Sequence, residues 1–120
     1  MEVIYLAASR PLAVLEILVH YAVLPRDFVF TPLRIPDRIE ATIDEISLAQ
    51  LPPNWNAPDP LSYTQELGAA WIRGRRSAVL KVPSAIIPEE PNYVLNVEHM
   101  DFKAIEFLPS RPFRFDPRLK

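Results

Sequence analysis

The stretch PLAVLEILVHYAVLP, residues 11–25, is apolar along almost its whole length and is long enough to form a helix. Its only side chains that ionise below about pH 9 are Glu16 and His20. They stand four positions apart, which places them on one face of a helix. A helix that is apolar on every side is a buried helix. The pattern therefore predicts a buried helix over residues 11–25 that carries a carboxylate.

The carboxylate of Glu16 needs a partner in such a helix, because an unpaired charge taken out of water costs several kcal/mol. One interpretation is a plain surface pair with His20, which stabilises a helix by a few tenths of a kcal/mol. The other is a polar cleft. Tyr5 lies in an apolar run just before the helix, and Ser84 follows the end of another such run. A carboxylate, a phenol and a hydroxyl can thus meet at one end of a sheet, and Asn96 can join them or act as a turn residue.

Length and composition limit the class of protein. With 120 residues, of which 49% are hydrophobic and 23% charged, the sequence predicts one folded domain over residues 1–120. A net charge of −2 gives no basic field, so we expect no direct nucleic-acid partner. The apolar helix is too short to span a membrane, and no signal segment follows Met1. We therefore expect no membrane partner and a cytoplasmic location.

Residue usage excludes several kinds of site. The absence of cysteine excludes thiol catalysis, disulfides and Cys-based zinc binding, and two glycines cannot form a phosphate-binding Gly-rich loop. The two histidines, His20 and His99, are not accompanied by a GxSxG or similar nucleophile motif. Ligand-like spacing is limited to Glu16 with His20 and to His99 with Asp101, so we expect no metal.

Fourteen prolines interrupt regular structure along the chain, so its strands should be short and often at sheet edges. Strands are predicted at residues 3–7, 27–35 (weakened by Pro32), 39–43, 77–82, 93–96 and 104–108, with an extended tail over 110–117. Helices are predicted at residues 11–25 and 61–73, the second stopped by Gly74, with a loop over 51–60. Because these elements alternate without a regular βαβ period, the predicted fold class is α+β with a small mixed sheet.

Four blocks occur in order along nearly the whole chain: VIYLAASRPLAVLEILVH, LPPNW, AAWIRGRRSAVLKVPSAIIPEEPNYVLN and RPFRFDPRL. Together they resemble the RES-domain family, which is named for its Arg, Glu and Ser. The resemblance implies a toxin of a bacterial toxin–antitoxin pair, with a fold similar to that of ADP-ribosyltransferases. It also implies NAD as the substrate, consumed by phosphorolysis or hydrolysis of the nicotinamide–ribose bond or by ADP-ribose transfer to a protein. A cognate antitoxin is the implied protein partner.

The motifs of this family carry its site residues over to matching positions. Glu16 matches the Glu of the family's Leu-Glu helix and Ser84 the Ser of its Val-Pro-Ser turn, which implies a catalytic role for both. Tyr5 matches the Tyr of the first Tyr-Leu-Ala strand, and Asn96 falls in the Leu-Asn block. With Ser84, these two are implied to bind the cofactor. Cleavage of the nicotinamide–ribose bond develops positive charge on the sugar, which a carboxylate such as Glu16 stabilises. His20 is then left with a packing role or with a contact that supports a site residue.

The Arg of the family name has no match in this sequence. Family members carry it in a Gly-Gly-Arg-Trp-Asn-like segment before the Tyr strand, and no such segment occurs here. Arg10 and Arg26 flank the Glu16 helix, but they lie outside that context and the role is not transferred to them. Because an Arg would hold the pyrophosphate of NAD, we expect lower cofactor affinity. The alternatives left open are an active enzyme, a shortened chain, an inactive module that binds an antitoxin, and a fold whose ligand is another nucleotide.

Overall fold

The computed structural model describes residues 3–56 and 62–120, and of residues 62–65 it describes the backbone alone. The described part of the chain has an α+β fold, as the sequence predicts. Its helices are α1 (Arg10–Leu18), α2 (Asp37–Glu40) and α3 (Ser62–Gly74). Its strands are β1 (Val3–Ala7), β2 (Phe28–Phe30), β3 (Leu33–Arg34), β4 (Asp44–Glu45), β5 (Val79–Pro83), β6 (Pro91–Asn96), β7 (Glu106–Phe107) and β8 (Arg111–Phe113).

The main sheet has four described strands in the order β1-β6-β5-β4. Strand β6 runs antiparallel to both neighbours, with Asn92 placed between Ala7 of β1 and Val82 of β5. Strands β4 and β5 are parallel. It follows that β1 and β5 point the same way, and that their carboxyl ends meet where β6 begins. This end of the sheet, called here the carboxyl end, is where the candidate site lies.

Each face of the main sheet has its own apolar cluster, because successive strand residues point to opposite faces. One face packs into a buried cluster made of Ile39, Ala78, Val79, Leu95 and Ile105. The other face packs against α3 through Trp71, Leu80 and Val94. The sheet is therefore covered on both sides, and polar side chains that lie between its strands and helices need partners.

Helix α1 begins as predicted but ends earlier. The hydroxyl of Ser9 caps it by accepting a hydrogen bond from the backbone N–H of Leu12 at 3.3 Å. The prediction of a buried helix over residues 11–25 is wrong beyond Leu18, where turns replace helix. Nor is α1 buried on every side, because the side chains of Leu15 and of Val19, its C-terminal cap, are exposed.

Three features account for the early end of α1. Pro25 lacks a backbone N–H and restricts the residue before it, which disfavours a last helical turn. The Tyr21 ring packs edge-on against Phe28, with 5.9 Å between ring centroids, and this contact pulls the chain away from the helix axis. Finally, Nζ of Lys120 donates to the carbonyl oxygen of Leu18 at 2.9 Å and also to that of Tyr21. The C-terminal residue thereby satisfies carbonyls that a continued helix would have used.

The strand predictions are confirmed where the apolar run is unambiguous. Strand β1 matches residues 3–7, and β5 and β6 cover most of the runs at 77–82 and 93–96. The run at 27–35 is present as two strands, β2 and β3, which are interrupted at Pro32 as expected.

The strand predicted over residues 39–43 is wrong. Its first residues belong to helix α2, in which Ile39 is 1% exposed and lies in the core. Ile39 and Ile43 stand four positions apart, a spacing that fits one side of a helical turn as well as the alternation of a strand. The strand predicted over 104–108 is shorter than expected, because the residues Met100–Ala104 form a 3₁₀ helix ahead of β7.

Helix α3 agrees with the helix predicted over residues 61–73, although Leu61 lies outside the described residues. Gly74 is its last residue, but the left-handed backbone that stops it is at Arg75, with φ of 53°. Residues 51–56 of the predicted loop contain neither helix nor strand, and residues 57–60 lie outside the described ranges. Across the described ranges, no helix combines the length and apolar character that crossing a bilayer requires.

Candidate functional site

The carboxylate of Glu16 is the centre of the candidate site. Glu16 lies on α1 and is half-buried. Its Oε1 accepts two hydrogen bonds, from Oγ of Ser84 at 2.7 Å and from Nδ2 of Asn92 at 2.8 Å. Neither donor is charged, and within the described ranges no cation forms an ion pair with Glu16 and nothing donates to its Oε2. One carboxylate oxygen is thus held by neutral donors, and the other is left without a protein partner.

Ser84 follows β5 directly and its side chain is fully buried. Its hydroxyl donates to Glu16 and accepts the backbone N–H groups of Ile86 and Ile87, each at 3.1 Å. Its own backbone N–H donates to the carbonyl of Glu90 at 2.8 Å, which closes the turn between β5 and β6. The single hydroxyl proton and both lone pairs are therefore in use. In this arrangement the Ser84 hydroxyl orients the Glu16 carboxylate.

Asn92 is a site residue that the sequence analysis missed. It lies near the start of β6, opposite Val82 and beside Ala7, so it reaches the carboxyl end of the sheet. Its Nδ2 donates to Glu16, whereas its Oδ1 is buried with no hydrogen-bond partner among the described residues. A buried acceptor left unpaired costs about 1–3 kcal/mol. The position of the amide thus gives its NH₂ group a hydrogen bond to Glu16 and leaves its carbonyl oxygen without one among the described residues.

Asn96 is at the opposite end of β6, four residues and about 13 Å of strand away from Asn92. Its side chain is buried and its Oδ1 accepts the backbone N–H of Glu98 at 3.0 Å. Of the two alternatives for Asn96, the turn-residue interpretation fits its contacts, and no hydrogen bond joins it to Glu16 among the described residues. The signal that would have selected Asn92 is strand direction. Because β6 runs antiparallel to β5, its first residues meet Ser84, and its last residues do not.

Tyr5 lies on β1 on the same side of the sheet as Leu80 and Val94. Its side chain is 76% exposed, and no hydrogen bond joins it to Glu16 among the described contacts. The structure brings Glu16 and Ser84 together, as the sequence analysis expected, but leaves the Tyr5 phenol apart from them.

The histidines do not contribute to the site. His20 lies two residues beyond the end of α1 and is exposed, so it neither shares a helix face with Glu16 nor packs in the core. The surface-pair interpretation of Glu16 is therefore wrong. His99 caps a 3₁₀ helix: its Nδ1 accepts the backbone N–H of Asp101 at 3.0 Å, and its Nε2 lies 3.0 Å from the carbonyl of Arg75. In the described part of the chain, no group of three acidic or histidine side chains is placed to hold a metal ion.

Two open cavities flank β1. The first, of about 720 Å³, runs from Tyr5 past Arg10 at the start of α1 to Phe30 on β2. The second, of about 540 Å³, lies between the sheet and α3 and is lined by Tyr5, Trp55 and Gly68. Tyr5 lines both cavities, and Ala85, next to Ser84, lines the second. Glu16 is in neither wall, so neither cavity encloses its carboxylate.

The loop that carries Trp55 is tied to the turn that carries Ser84. Nδ2 of Asn56 donates to the carbonyl oxygen of Ala85 at 3.2 Å. This bond joins one wall of the second cavity to the residue after Ser84. A ligand in the second cavity would thus lie next to the turn that carries Ser84, the hydrogen-bond donor to Glu16.

Comparison with known proteins identifies one family model and several relatives that are named as toxins. The sequence model of the family described as RES domain matches residues 1–116. The Prs ADP-ribosylating toxin of Sphingobium sp. is 34% identical over 119 residues, covering 98% of this chain and 74% of that protein. Toxin Res of Photorhabdus laumondii is 42% identical over 119 residues, covering 97% of this chain and 74% of that protein. Toxin Res of Yersinia enterocolitica is 34% identical over 120 residues, covering 98% and 77% respectively. The chain therefore belongs to the RES domain family.

Proposed function

We propose that this chain is a toxin domain that consumes NAD by cleaving its nicotinamide–ribose bond, with phosphate or water as the attacking group. The observation that carries the proposal is the Glu16 carboxylate, which has Oε1 held by Ser84 and Asn92 and Oε2 without a protein donor among the described residues. Membership of a family whose relatives are named as toxins supports the biological role.

In the proposed reaction Glu16 has one task, which is to stabilise positive charge on the ribose. As the glycosidic C–N bond breaks, its electron pair leaves with nicotinamide and positive charge develops on the ribose. A carboxylate near that ribose stabilises the charge in the transition state, as carboxylates do in glycoside cleavage. Phosphate or water then forms the new bond to the same ribose carbon. In this proposal Oε2 of Glu16 faces the ribose, and Glu16 is the catalytic residue.

Two other predicted site residues receive supporting roles. Ser84 holds Glu16, which fits its buried hydroxyl better than direct attack. Tyr5, exposed between the two cavities, positions the cofactor or the acceptor. Asn96 is given no role in this proposal, because it lies about 13 Å along β6 from Asn92 and its Oδ1 accepts a backbone N–H.

The pyrophosphate of NAD requires hydrogen-bond donors, and the family's Arg, which would supply them, has no match in the 120 residues. No Gly-Gly-Arg-Trp-Asn-like segment is present in the 120 residues. An Arg fork forms paired, charge-assisted hydrogen bonds to phosphate oxygens, and these contribute much of the affinity for such a group. The proposal assigns none of the 120 residues to the pyrophosphate. A metal is not part of it.

A second candidate is ADP-ribose transfer to a protein. One relative, 34% identical over 98% of this chain, is named as a Prs ADP-ribosylating toxin. Transfer and hydrolysis share the cleavage step and differ only in the acceptor. A third candidate, a catalytically inactive module, would bind an antitoxin without turnover. The proposed setting for all three is the cytoplasm, with a cognate antitoxin as partner and residues 1–120 as a single RES-like domain.

The test is an assay of nicotinamide release. The protein is incubated with NAD, with and without phosphate, and nicotinamide, ADP-ribose and ADP-ribose 1″-phosphate are resolved. Glu16→Gln is the inactive variant, and Glu106→Gln, at an exposed position beside Arg34, is the matched control. The proposal expects release from the wild type and from the control, and loss in Glu16→Gln. Release that survives in Glu16→Gln would refute the role of Glu16, and co-purification of an antitoxin without any turnover would favour the inactive module.

A further inference from the structure

Both donors to Glu16 bind the same oxygen, and one of them comes from a residue to which no role has been given. We propose that Asn92 is a positioning residue, which with Ser84 fixes Oε1 of Glu16 so that Oε2 alone is presented to the ribose. This inference rests on the proposed function and deepens it.

A carboxylate at the end of a Glu side chain needs such fixing. Its last torsion is broad and close to two-fold, so a carboxylate without donors presents either oxygen over a range of angles. Two charge-assisted hydrogen bonds of 2.7 and 2.8 Å to one oxygen remove that freedom. The donors belong to separate parts of the sheet, the turn after β5 and the start of β6. Together they define a direction that one donor cannot.

The environment of Asn92 indicates that its amide is retained for this contact. The neighbours opposite it on β1 and β5 are the apolar residues Ala7 and Val82. Asn is a poor strand residue, and its buried Oδ1 has no partner among the described residues. Local stability therefore favours an apolar β-branched residue at this position. A residue that departs from local rules, and whose one hydrogen bond is to the proposed catalytic carboxylate, fits a functional constraint.

The chain offers a matched control on the same strand. Asn96 is also a buried Asn on β6, and because strand residues two apart share a face it lies on the same face as Asn92. Its Oδ1 accepts a backbone N–H and its side chain has no contact with Glu16 among the described hydrogen bonds. Substitution at Asn96 thus reproduces the loss of a buried Asn in β6 without removing a donor from the carboxylate.

The strongest variant is Asn92→Asp, which keeps the shape of the side chain, replaces the donor NH₂ by an acceptor and adds a like charge beside Oε1 of Glu16. We expect it to lower kcat for nicotinamide release by up to about 100-fold, because a misplaced catalytic group costs about that factor. We expect KM to rise by only about tenfold, because the ground-state ribose loses one oriented acceptor. Asn92→Ala should show the same split to a smaller extent, and Asn96→Ala should keep kcat, with folding of each variant checked by thermal melting. Full kcat in folded Asn92→Asp, or an equal loss in Asn96→Ala, would overturn the proposal.

Binding of ADP-ribose by calorimetry separates this proposal from the proposed function. If the wild type releases no nicotinamide, the proposed function fails by itself. The positioning role then predicts that Asn92→Asp binds ADP-ribose at least about tenfold more weakly than Asn96→Ala does, since the ribose loses its oriented acceptor. Equal affinities of the two variants would overturn the positioning role, and a wild type that neither turns over NAD nor binds ADP-ribose would overturn both.

Discussion

The hydroxyl of Ser84 donates to Oε1 of Glu16 at 2.7 Å, across 68 positions of the chain. This bond joins the helix after β1 to the turn after β5, and so it depends on the parallel direction of those two strands. It is also one of the two hydrogen bonds by which a carboxylate on an apolar helix is accommodated. The stability of the carboxyl end of the sheet and the orientation of Glu16 are therefore linked through one buried hydroxyl.

The first prediction concerns that hydroxyl. Ser84→Ala removes the donor to Glu16 and leaves the N–H groups of Ile86 and Ile87 without their acceptor. We expect the free energy of unfolding in urea to fall by about 1–3 kcal/mol. Ser110→Ala is the control, because Ser110 is exposed and bonds only the Thr31 hydroxyl among the described contacts, so its effect should stay within about 0.5 kcal/mol. Equal stabilities of the two variants would show that the Ser84 contacts do not form.

The second prediction concerns the end of α3. Arg75 holds a left-handed backbone with φ of 53°, which a glycine adopts without strain. Arg75→Gly should therefore raise the free energy of unfolding, by about 1 kcal/mol. Arg73→Gly, two residues earlier and inside the helix, should lower it by a similar amount. The two variants remove the same side chain type and are expected to shift the urea midpoint in opposite directions, so shifts of the same sign would contradict the assignment.

The third prediction concerns the end of α1. Nζ of Lys120 donates to the carbonyl oxygens of Leu18 and Tyr21, where a cation also interacts favourably with the helix dipole. Lys120→Ala should destabilise the protein by about 1 kcal/mol, and added salt should reduce the difference from wild type. Lys103→Ala, at an exposed position, is the control. A salt-independent difference, or none at all, would mean that Lys120 does not cap α1.

The fourth prediction concerns the C-terminal turn. The side chain and backbone N–H of Arg118 donate to the Asp116 carboxylate and lower the pKa of Asp116, while Asp116 raises the pKa of Arg118. A carboxyl with a lowered folded pKa contributes stability above its ordinary pKa, and this is lost as the pH falls through the folded value. Arg118→Gln should raise the Asp116 pKa in a carbon NMR titration, and Arg114→Gln should not. An unchanged Asp116 pKa in Arg118→Gln would exclude this pair.

Much of the fold is encoded in local patterns. Strand β1, the cap at Ser9 and the interruption at Pro32 all follow from short-range rules, and the structure has each of them. The failures have tertiary causes. One of the contacts at the end of α1 comes from Lys120, 102 positions beyond Leu18, which no local window includes. Ile39 and Ile43 fit a helical turn and a strand equally well, and burial against the sheet decides for the helix.

The candidate site was predictable in part. Glu16 stood out because a carboxylate in an apolar segment needs a partner, and the position of Ser84 after a strand supplied one. Asn92 could not be distinguished from Asn96 by residue type, since both are Asn on one strand. The direction of β6 relative to β5 separates them, and direction is a property of the sheet that the sequence pattern alone does not contain.

The central claim is that the Glu16 carboxylate enables cleavage of NAD, and nicotinamide release is its most direct measurement. Wild type and Glu16→Gln are compared at saturating NAD with phosphate present, after both are shown to melt as folded proteins. The account predicts release by the wild type and a rate lower by at least about 100-fold in Glu16→Gln, because removing one electrostatic stabiliser of the transition state has an effect of that order. Equal rates of nicotinamide release from the two folded proteins would contradict it.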